Sequence, residues 1–333
     1  MFELSFIWAG IIAFAVLTYV ILDGFDLGIG ILFPTAKSER DKATMMNSIA
    51  PIWDGNETWL VMGGGGLFAV FPLAYAVIMP ALYMPIILML LALIFRGVAF
   101  EYRWRTERWK PVWDAAFFGG SIMAAFMQGI ALGALVQGIK VADRAYAGGW
   151  WDWLTAFSIL TGVAVVVGYA LLGATWLILK TEGPLQNQMQ RYAWWLAAGT
   201  LGFIGVVSIM TPFQDPIYFQ RWFNLPGSIL SVLMPGAVLA AAFSLFSGLS
   251  AGKDGQPFLS ALSLFVLCFV GIGISFYPNI VPPGLTIAEA AAPDASLKFA
   301  LVGTVVLVPL ILVYTAYAYW VFRGKIDPEE GYH

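Results

Sequence analysis

Four acidic residues lie in or against strongly apolar stretches of this sequence. Asp23 and Asp26 stand in ILDGFDLGIGILF, and Asp54 and Glu57 stand in SIAPIWDGNETWLV. A carboxylate at the centre of a membrane-spanning helix costs about 2.5–3.5 kcal/mol on insertion scales, so it is rarely left facing lipid. Two such pairs indicate an internal polar site, and movement of protons or ions is the first chemistry that it suggests.

The composition is that of an integral membrane protein. Of the 333 residues, 60% are hydrophobic and only 11% are charged, and the mean hydropathy is +0.81. A soluble domain carries about 25% charged residues, so this chain is expected to reside in the lipid bilayer. The formal net charge of −3 gives no reason to expect a nucleic-acid partner.

The side chains that usually hold redox metals are scarce. The one histidine, His333, is the last residue, and the one cysteine, Cys268, lies in an apolar run. Haem iron usually takes His, Met or Cys as its axial ligand, and methionines in membrane helices mostly serve packing. The sequence also lacks CxxC, HExxH and Walker-type phosphate-loop motifs. If the protein takes part in redox chemistry, the redox centres are expected on a partner.

Hydropathy predicts an all-α integral membrane protein with about nine transmembrane helices in a single polytopic domain, residues 1–333. The uncharged stretch 58–95 would be about 57 Å long as one helix, against an apolar core of about 30 Å, so it should form two spans with a turn near Pro72. Between the fifth and sixth spans, Gly183 and Pro184 predict a surface loop. The predicted spans are 5–33, 50–71, 75–97, 113–137, 155–179, 193–212, 227–249, 258–278 and 298–322.

The basic residues predict the orientation of the chain. With the N-terminus outside and the C-terminus in the cytoplasm, 13 of the 17 basic residues fall on the inner side, as the positive-inside rule requires. Only Lys140, Arg144, Arg221 and Lys298 remain outside. This orientation needs an odd number of spans, so it agrees with nine helices.

Helical spacing predicts that the four carboxylates meet near the inner surface. Asp23 and Asp26 are three residues apart, as are Asp54 and Glu57, so each pair shares a helix face. The first two spans should pack antiparallel, which brings both pairs to a similar depth. Asp54 has the strongest functional claim, on the presumed inward face, while a salt-bridge knot that only fixes packing is the structural alternative. The expected supporting residues are Trp53, Asn56, Trp59 and, as a counter-charge, Arg96.

A glycine run, Gly63–Gly66, lies inside the second predicted span. Small residues let helix backbones approach closely, which is the simpler explanation for this run. A backbone that approaches a ligand is the sharper alternative. No Lys or Ser/Thr follows in the position that a phosphate loop requires.

Several long motifs resemble subunit II of the cytochrome bd-type quinol oxidases. They are DGFDLG at 23–28, NSIAPIWDGNETWL at 47–60, FRGVAFEYR at 95–103, WKPVWDAAFFGGS at 109–121 and PLILVYTAYAYWVF at 309–322. The likeness runs through most of the chain, and the compact length is similar to the shorter, cyanide-insensitive type.

The resemblance implies a bacterial inner-membrane complex that oxidises ubiquinol or menaquinol and reduces O2 to water, contributing to a proton-motive force. It implies a pseudo-symmetric heterodimer in which subunit I carries haem b and haem d (or b in its place). Small accessory subunits are further expected partners, and some members hold a structural quinone in subunit II.

The resemblance also implies a role for this chain as scaffold and cytoplasmic proton conduit. The Asp of the WDGN motif, here Asp54, belongs to the family's proton route, and Asp23 and Asp26 match acidic positions of the first-helix motif. Two other functions remain open from the residues: a stand-alone proton- or ion-coupled transporter, and a purely structural membrane subunit.

Overall fold

The computed structural model describes residues 3–225 and 227–326, so His333 lies outside the described residues. Helices make up most of this part of the chain, and two short hairpins complete it. The helices are α1 (Leu4–Leu32), α2 (Glu39–Asn47), α3 (Trp53–Val70), α4 (Pro72–Ala81), α5 (Tyr83–Arg103), α6 (Lys110–Gln137), α7 (Ala156–Lys180), α8 (Gly183–Met210), α9 (Pro216–Phe223), α10 (Gly227–Ser250), α11 (Gly255–Phe276), α12 (Ile287–Ala290) and α13 (Asp294–Val321). The strands are β1 (Val141–Ala142), β2 (Ala145–Tyr146), β3 (Asn279–Val281) and β4 (Leu285–Thr286), and they pair antiparallel as β1–β2 and β3–β4.

Long apolar helices dominate the architecture, as the sequence predicts. Among the described residues, eight helices are long and apolar enough to cross a membrane: α1, α5, α6, α7, α8, α10, α11 and α13. Helix α3, the predicted second span, has 18 residues but is not among these eight. Two acids and the glycine run lower its hydropathy. The total of nine spans and the orientation in the membrane stay predictions. The end of the bundle that holds the C-terminus of α1 is called the inner end below.

Proline positions determine how the long uncharged stretch is divided. The predicted turn near Pro72 is confirmed, because α3 ends at Val70 and Pro72 begins α4. The predicted third span, 75–97, is wrong, because a second break at Leu82 separates α4 from α5. Pro85 has no N–H to donate, and its ring would clash with the carbonyl of Ala81 in a continuous helix.

The predicted surface loop at Gly183 and Pro184 is also wrong. Helix α8 begins at Gly183 with Pro184 in its first turn, so only Thr181 and Glu182 separate α7 from α8. Proline is favoured at the first helical position because the N–H that it lacks would have no helical partner there. The Gly-Pro pair therefore marks the start of a helix, ten residues before the predicted span.

Helix α1 lies at the centre of the bundle and contacts α3, α6 and α7. Its inner third, residues 23–30, is wholly buried. The crossing with α7 is tight, because a Cβ added to Gly28 would overlap the carbonyl of Tyr169 and lie 2.7 Å from the nitrogen of Gly173. The glycines let the two backbones touch, and this contact fixes the position of the DGFDLG segment.

The glycine run in α3 serves helix packing at two of its four positions. Gly63 faces Val16 and Gly66 faces Ile12, both on α1, whereas a Cβ on Gly64 or Gly65 would meet nothing within 4 Å. The close-approach interpretation therefore explains half of the run. The other two glycines lie away from α1.

An ion network at the inner end ties α2 to α5 and α6. Arg103 is buried and donates hydrogen bonds to Asp114 (2.5 Å) and Glu39 (2.8 Å), and Lys42 donates to Asp114 (2.7 Å). The hydrogen bond to Asp114 is the main cause of a raised pKa at Lys42. Partial desolvation of Glu39 opposes the effect of Lys42 and Arg103, but these two cations lower its pKa overall. The contribution of Glu39 to stability is therefore present above about pH 4.5 and is lost as the pH falls through the lowered pKa.

Replacing Asp114 by asparagine should weaken this network markedly. Arg103 would keep its charge in a buried position with one partner less, and hydrogen bonds to charged groups contribute about 1.5–3 kcal/mol. We expect a lower thermal unfolding temperature of the purified complex. Glu107→Gln is the control, because Glu107 pairs with Lys110 on an exposed surface, where ion pairs contribute about 0–1 kcal/mol. Equal unfolding temperatures for the two variants would contradict a stabilising role for the contact between Arg103 and Asp114.

Candidate functional site

The site begins with two carboxylates that α1 buries completely. Asp23 and Asp26 are 0% exposed, on a helix whose flanking residues are apolar or glycine. Lipid does not contact them, because α3, α6 and α7 pack against α1 and Arg96 of α5 reaches Asp23. Ionised carboxylates in such surroundings need a partner, since an isolated buried charge is strongly disfavoured.

Arg96 on α5 supplies the opposite charge. Its Nη1 lies 2.7 Å from Oδ1 of Asp23, and its Nη2 lies 3.7 Å from Oδ2 of Asp26. A third carboxylate, Glu57 on α3, lies 4.0 Å from Nη1 of Arg96, and its side chain is 29% exposed. The guanidinium itself is fully buried. The predicted counter-charge is therefore present, and it lies well inside α5, seven residues before Arg103.

Asn56 connects this cluster to the last helix. Its side-chain amide donates a 2.8 Å hydrogen bond to Oδ2 of Asp26, and its amide oxygen accepts a 2.9 Å hydrogen bond from the hydroxyl of Tyr319 on α13. In this chain of hydrogen bonds, the donors of Tyr319 and Asn56 both point toward Asp26. The predicted supporting role of Asn56 thus has a definite geometry.

A second polar chain lies deeper in the bundle. Tyr169 on α7 donates to the amide oxygen of Gln128 on α6 (2.8 Å), and the amide nitrogen of Gln128 donates to the hydroxyl of Tyr19 on α1 (2.7 Å). Tyr19 lies one helical turn before Asp23 and interacts with it electrostatically. Sequence reasoning missed Tyr19, Gln128 and Tyr169, although an intramembrane glutamine is a signal that could have found this chain.

Four buried polar atoms of the cluster have no hydrogen-bond partner among the described residues. They are Oδ2 of Asp23, Oδ1 of Asp26, and Nε and Nη2 of Arg96. Buried polar groups are nearly always paired with protein or ordered water. Donors and acceptors so close together are what internal water needs in order to bind. The site can therefore hold charge.

The sequence was then compared with known families and structures. The profile of the family described as Cytochrome bd terminal oxidase subunit II matches residues 4–322. The chain belongs to this family. It is thus a multi-pass protein of the bacterial inner membrane, which agrees with its eight apolar spans.

Individual relatives of this subunit II family cover nearly the whole chain. The chain is 30% identical to cytochrome bd-I ubiquinol oxidase subunit 2 of Escherichia coli K12, over 98% of this chain and 96% of the relative. It is also 30% identical to cytochrome bd ubiquinol oxidase subunit 2 of Bacillus subtilis 168, over 99% of both. A chain of the bd oxidase structure from Geobacillus thermodenitrificans has the same fold, with a TM-score of 0.79 at 17% identity, over 96% of this chain and 99% of that one.

One geometric prediction for the subunit II site is wrong. The sequence predicts that all four carboxylates meet near the inner surface with Asp54 on the inward face, but the structure leaves Asp54 exposed on the surface of the chain. Asn56 faces α1, and Asp54 lies about 200° around the helix from it at 100° per residue. Glu57 lies about 100° from Asn56, at the edge of the buried face. Asp23 and Asp26 meet as predicted.

The two predicted tryptophans support the site by packing. Trp53 stacks on Phe100, with ring centroids 4.9 Å apart, and lies under the guanidinium of Arg96 at 5.9 Å. Trp59 is buried against Phe14 in an edge contact, and its indole N–H has no hydrogen-bond partner among the described residues. Trp59 therefore supports the site by packing and not by a hydrogen bond to a described residue.

The described residues offer few ligands for the haem that the family implies for the complex. Within residues 3–225 and 227–326, no three His, Cys, Asp or Glu side chains are arranged to hold a metal ion. The one thiol, Cys268, lies in α11, and that helix is apolar. These residues include no histidine, so only Cys268 or a methionine could be an axial ligand of a haem iron here.

Proposed function

We propose that this chain is subunit II of a bd-type oxidase that oxidises quinol and reduces O2 to water. In this proposal it serves as scaffold and proton conduit. The relatives named above are subunits of ubiquinol oxidases. None of them is a transporter, so nothing favours the stand-alone transporter. Contribution to a proton-motive force follows if protons consumed at the O2 site come from the inner side.

One observation supports the proposed proton conduit: a buried cluster of charged groups near the inner end that reaches the surface of the chain at one residue. Asp23, Asp26 and Arg96 are fully buried, and Glu57 connects them to the surface of the chain. If these ion pairs served helix packing alone, their burial would add little to the stability of the protein. Well-packed apolar residues often stabilise a protein as much as a buried ion pair does. Ionisable groups kept inside a membrane protein commonly mark proton routes.

The haems of the complex belong to the partner subunit in this proposal. The scarcity of histidine and cysteine supports that assignment, because the sequence has only His333 and Cys268. We infer haem b together with haem d, or b in its place, on subunit I. The residues here then deliver protons and carry no electrons.

The exposed position of Asp54 fits a conduit that leaves this chain at its border with subunit I. The exposed residues on the same face of α3 as Asp54 are Thr58, Val61, Gly65 and Phe68. Lipid would disfavour a carboxylate at this place within the predicted span, whereas a partner subunit would cover it. Asp54 is within electrostatic range of Glu57. A proton can therefore pass between the buried cluster and the partner by way of these two acids.

Replacing Asp54 by asparagine should lower the quinol-dependent O2 uptake of the purified complex about tenfold or more. The reason is that positioned proton-transfer groups typically contribute about 10²–10⁴-fold. The haem spectrum and the yield of the complex should stay near normal, since Asp54 is exposed and holds no structural ion pair among the described residues. Oxygen-electrode turnover and a visible spectrum on the same sample measure both.

Two outcomes would contradict this role for Asp54. Unchanged turnover would exclude it from the proton route. Loss of haem together with loss of assembly would favour the purely structural subunit instead. Glu101→Gln is the matched control, because Glu101 is an exposed acid near the inner end of α5 that pairs only with the exposed Arg105 among the described residues.

A further inference from the structure

We propose that Glu57 is the residue of the buried cluster that takes up and releases protons, and that Asp23 and Asp26 are fixed counter-charges of Arg96. The inference rests on the proposed conduit and assigns separate roles to the carboxylates within it. The observations that carry it are the unequal exposure of the three acids and the hydrogen-bond chains that end on the two aspartates.

Asp23 and Asp26 are held beside Arg96 and have no direct access to solvent. Both are fully buried, and both lie against the guanidinium of Arg96. Arginine stays protonated in proteins, so it needs a carboxylate beside it. Neither aspartate can exchange a proton directly with water at the surface of the chain.

The two hydrogen-bond chains reinforce the charged form of these aspartates. Asn56 donates to Asp26, and Gln128 holds Tyr19 beside Asp23. Each chain has a side-chain amide in the middle, and an amide is not a titrating group. Donors that point toward a carboxylate favour its ionised form. The chains therefore stabilise charge and make poor routes for protons.

Glu57 differs from both aspartates in each respect. Its side chain is 29% exposed, its ion contact with Arg96 is the longest of the three at 4.0 Å, and no amide chain ends on it. The charged groups that act on it are Arg96 on α5, Asp23 and Asp26 on α1, and Asp54 on its own helix. Asp23 and Asp26 supply two carboxylates beside the single positive charge of Arg96, so Arg96 does not need the charge of Glu57. It can gain or lose a proton without leaving Arg96 unpaired.

The expected cycle follows from this arrangement. Ionised Glu57 accepts a proton from water at the surface of the chain, and its contact with Arg96 weakens as it becomes neutral. It then releases the proton to Asp54 on the same helix, which is within its electrostatic range, and Asp54 passes the proton to an acceptor in the partner subunit. Glu57 and Asp54 each gain and lose one proton, so both return to their starting states, and Asp23, Asp26 and Arg96 keep their charges.

Substitution of each acid in the complete complex tests the assignment. Glu57→Gln should lower turnover about tenfold or more and flatten its pH dependence, with normal assembly. Glu57→Asp should restore part of the turnover. The carbonyl stretching band of a protonated carboxylic acid, seen in infrared difference spectra on titration, should disappear in Glu57→Gln. Asp23→Asn and Asp26→Asn should instead reduce thermal stability and assembly while the band remains.

The outcomes separate this inference from the proposed function. If Asp54→Asn slows turnover but Glu57→Gln leaves the rate, the pH profile and the infrared band unchanged, the assignment to Glu57 is wrong and the conduit stands. The same holds if the band disappears in Asp23→Asn or Asp26→Asn with assembly intact. If neither Asp54→Asn nor Glu57→Gln affects turnover in an assembled complex, the conduit itself is wrong. Glu101→Gln, an exposed acid outside the cluster, should match wild type throughout.

Discussion

Arg96→Gln is expected to destabilise the folded chain by about 3–5 kcal/mol, which is the usual cost of removing one partner from a buried ion pair. The substitution removes the cation that lies 2.7 Å from Asp23 and 3.7 Å from Asp26, and it leaves both aspartates buried with no positive charge beside them. Folded membrane proteins have little stability to spare, since typical domains are stable by about 5–15 kcal/mol. We therefore expect little assembled complex in membranes and a low unfolding temperature for what remains.

Two further substitutions make the test of Arg96 specific. Arg96→Lys should be intermediate, because lysine restores the charge but cannot present the planar group that reaches several carboxylates at once. Arg105→Gln should be close to wild type, because Arg105 is 76% exposed and pairs only with Glu101 among the described residues. Complex yield, haem content and unfolding temperature should be measured together. A stable Arg96→Gln complex would contradict the stabilising role of this buried ion cluster.

Gly28→Ala should be nearly as damaging, although it adds a single methyl group. The added carbon would overlap the backbone of α7 at Tyr169 and Gly173, and a backbone cannot move aside by changing rotamer. Overpacking of this kind typically costs about 1–3 kcal/mol, and we expect the upper end of that range. The shift of α1 against α7 would also move Asp23 and Asp26 relative to Arg96, so turnover should fall with stability.

Gly202→Ala on α8 is the matched control for Gly28→Ala. An added Cβ at Gly202 meets nothing within 4 Å, and alanine is preferred to glycine inside a helix by about 1 kcal/mol. Thermal unfolding of the two complexes should therefore move in opposite directions. Similar losses in both variants would mean that the α1–α7 contact is looser than the structure indicates.

The sequence predicted most of the parts of this protein but not how they face one another. Hydropathy located the long helices, because a span must satisfy its backbone internally and present apolar side chains to lipid. The turn at Pro72 followed from length alone. The break at Leu82 and the helix start at Gly183 were missed, because a proline can signal a helix start, a kink or a loop, and only the neighbouring turns decide among these.

The functional site shows more clearly which features the sequence predicts and which only the tertiary structure determines. The types and spacing of Asp23, Asp26 and Glu57 were enough to predict a polar cluster near the inner end, since lipid excludes carboxylates. The tertiary structure alone decided that Asp54 points outward, because the face of α3 that meets α1 is set by Asn56, Trp59 and Gly63.

Likewise, the sequence named Arg96 as a counter-charge, but the structure joined it to residues that are far apart in the chain. Tyr319 reaches Asp26 through Asn56, across 263 residues of sequence. Gln128 lies between Tyr19 and Tyr169 in the middle of the bundle. Such contacts depend on which helices cross and at what rotation. Local sequence fixes which residues the membrane will not tolerate in lipid, and packing of the whole bundle decides which of them meet.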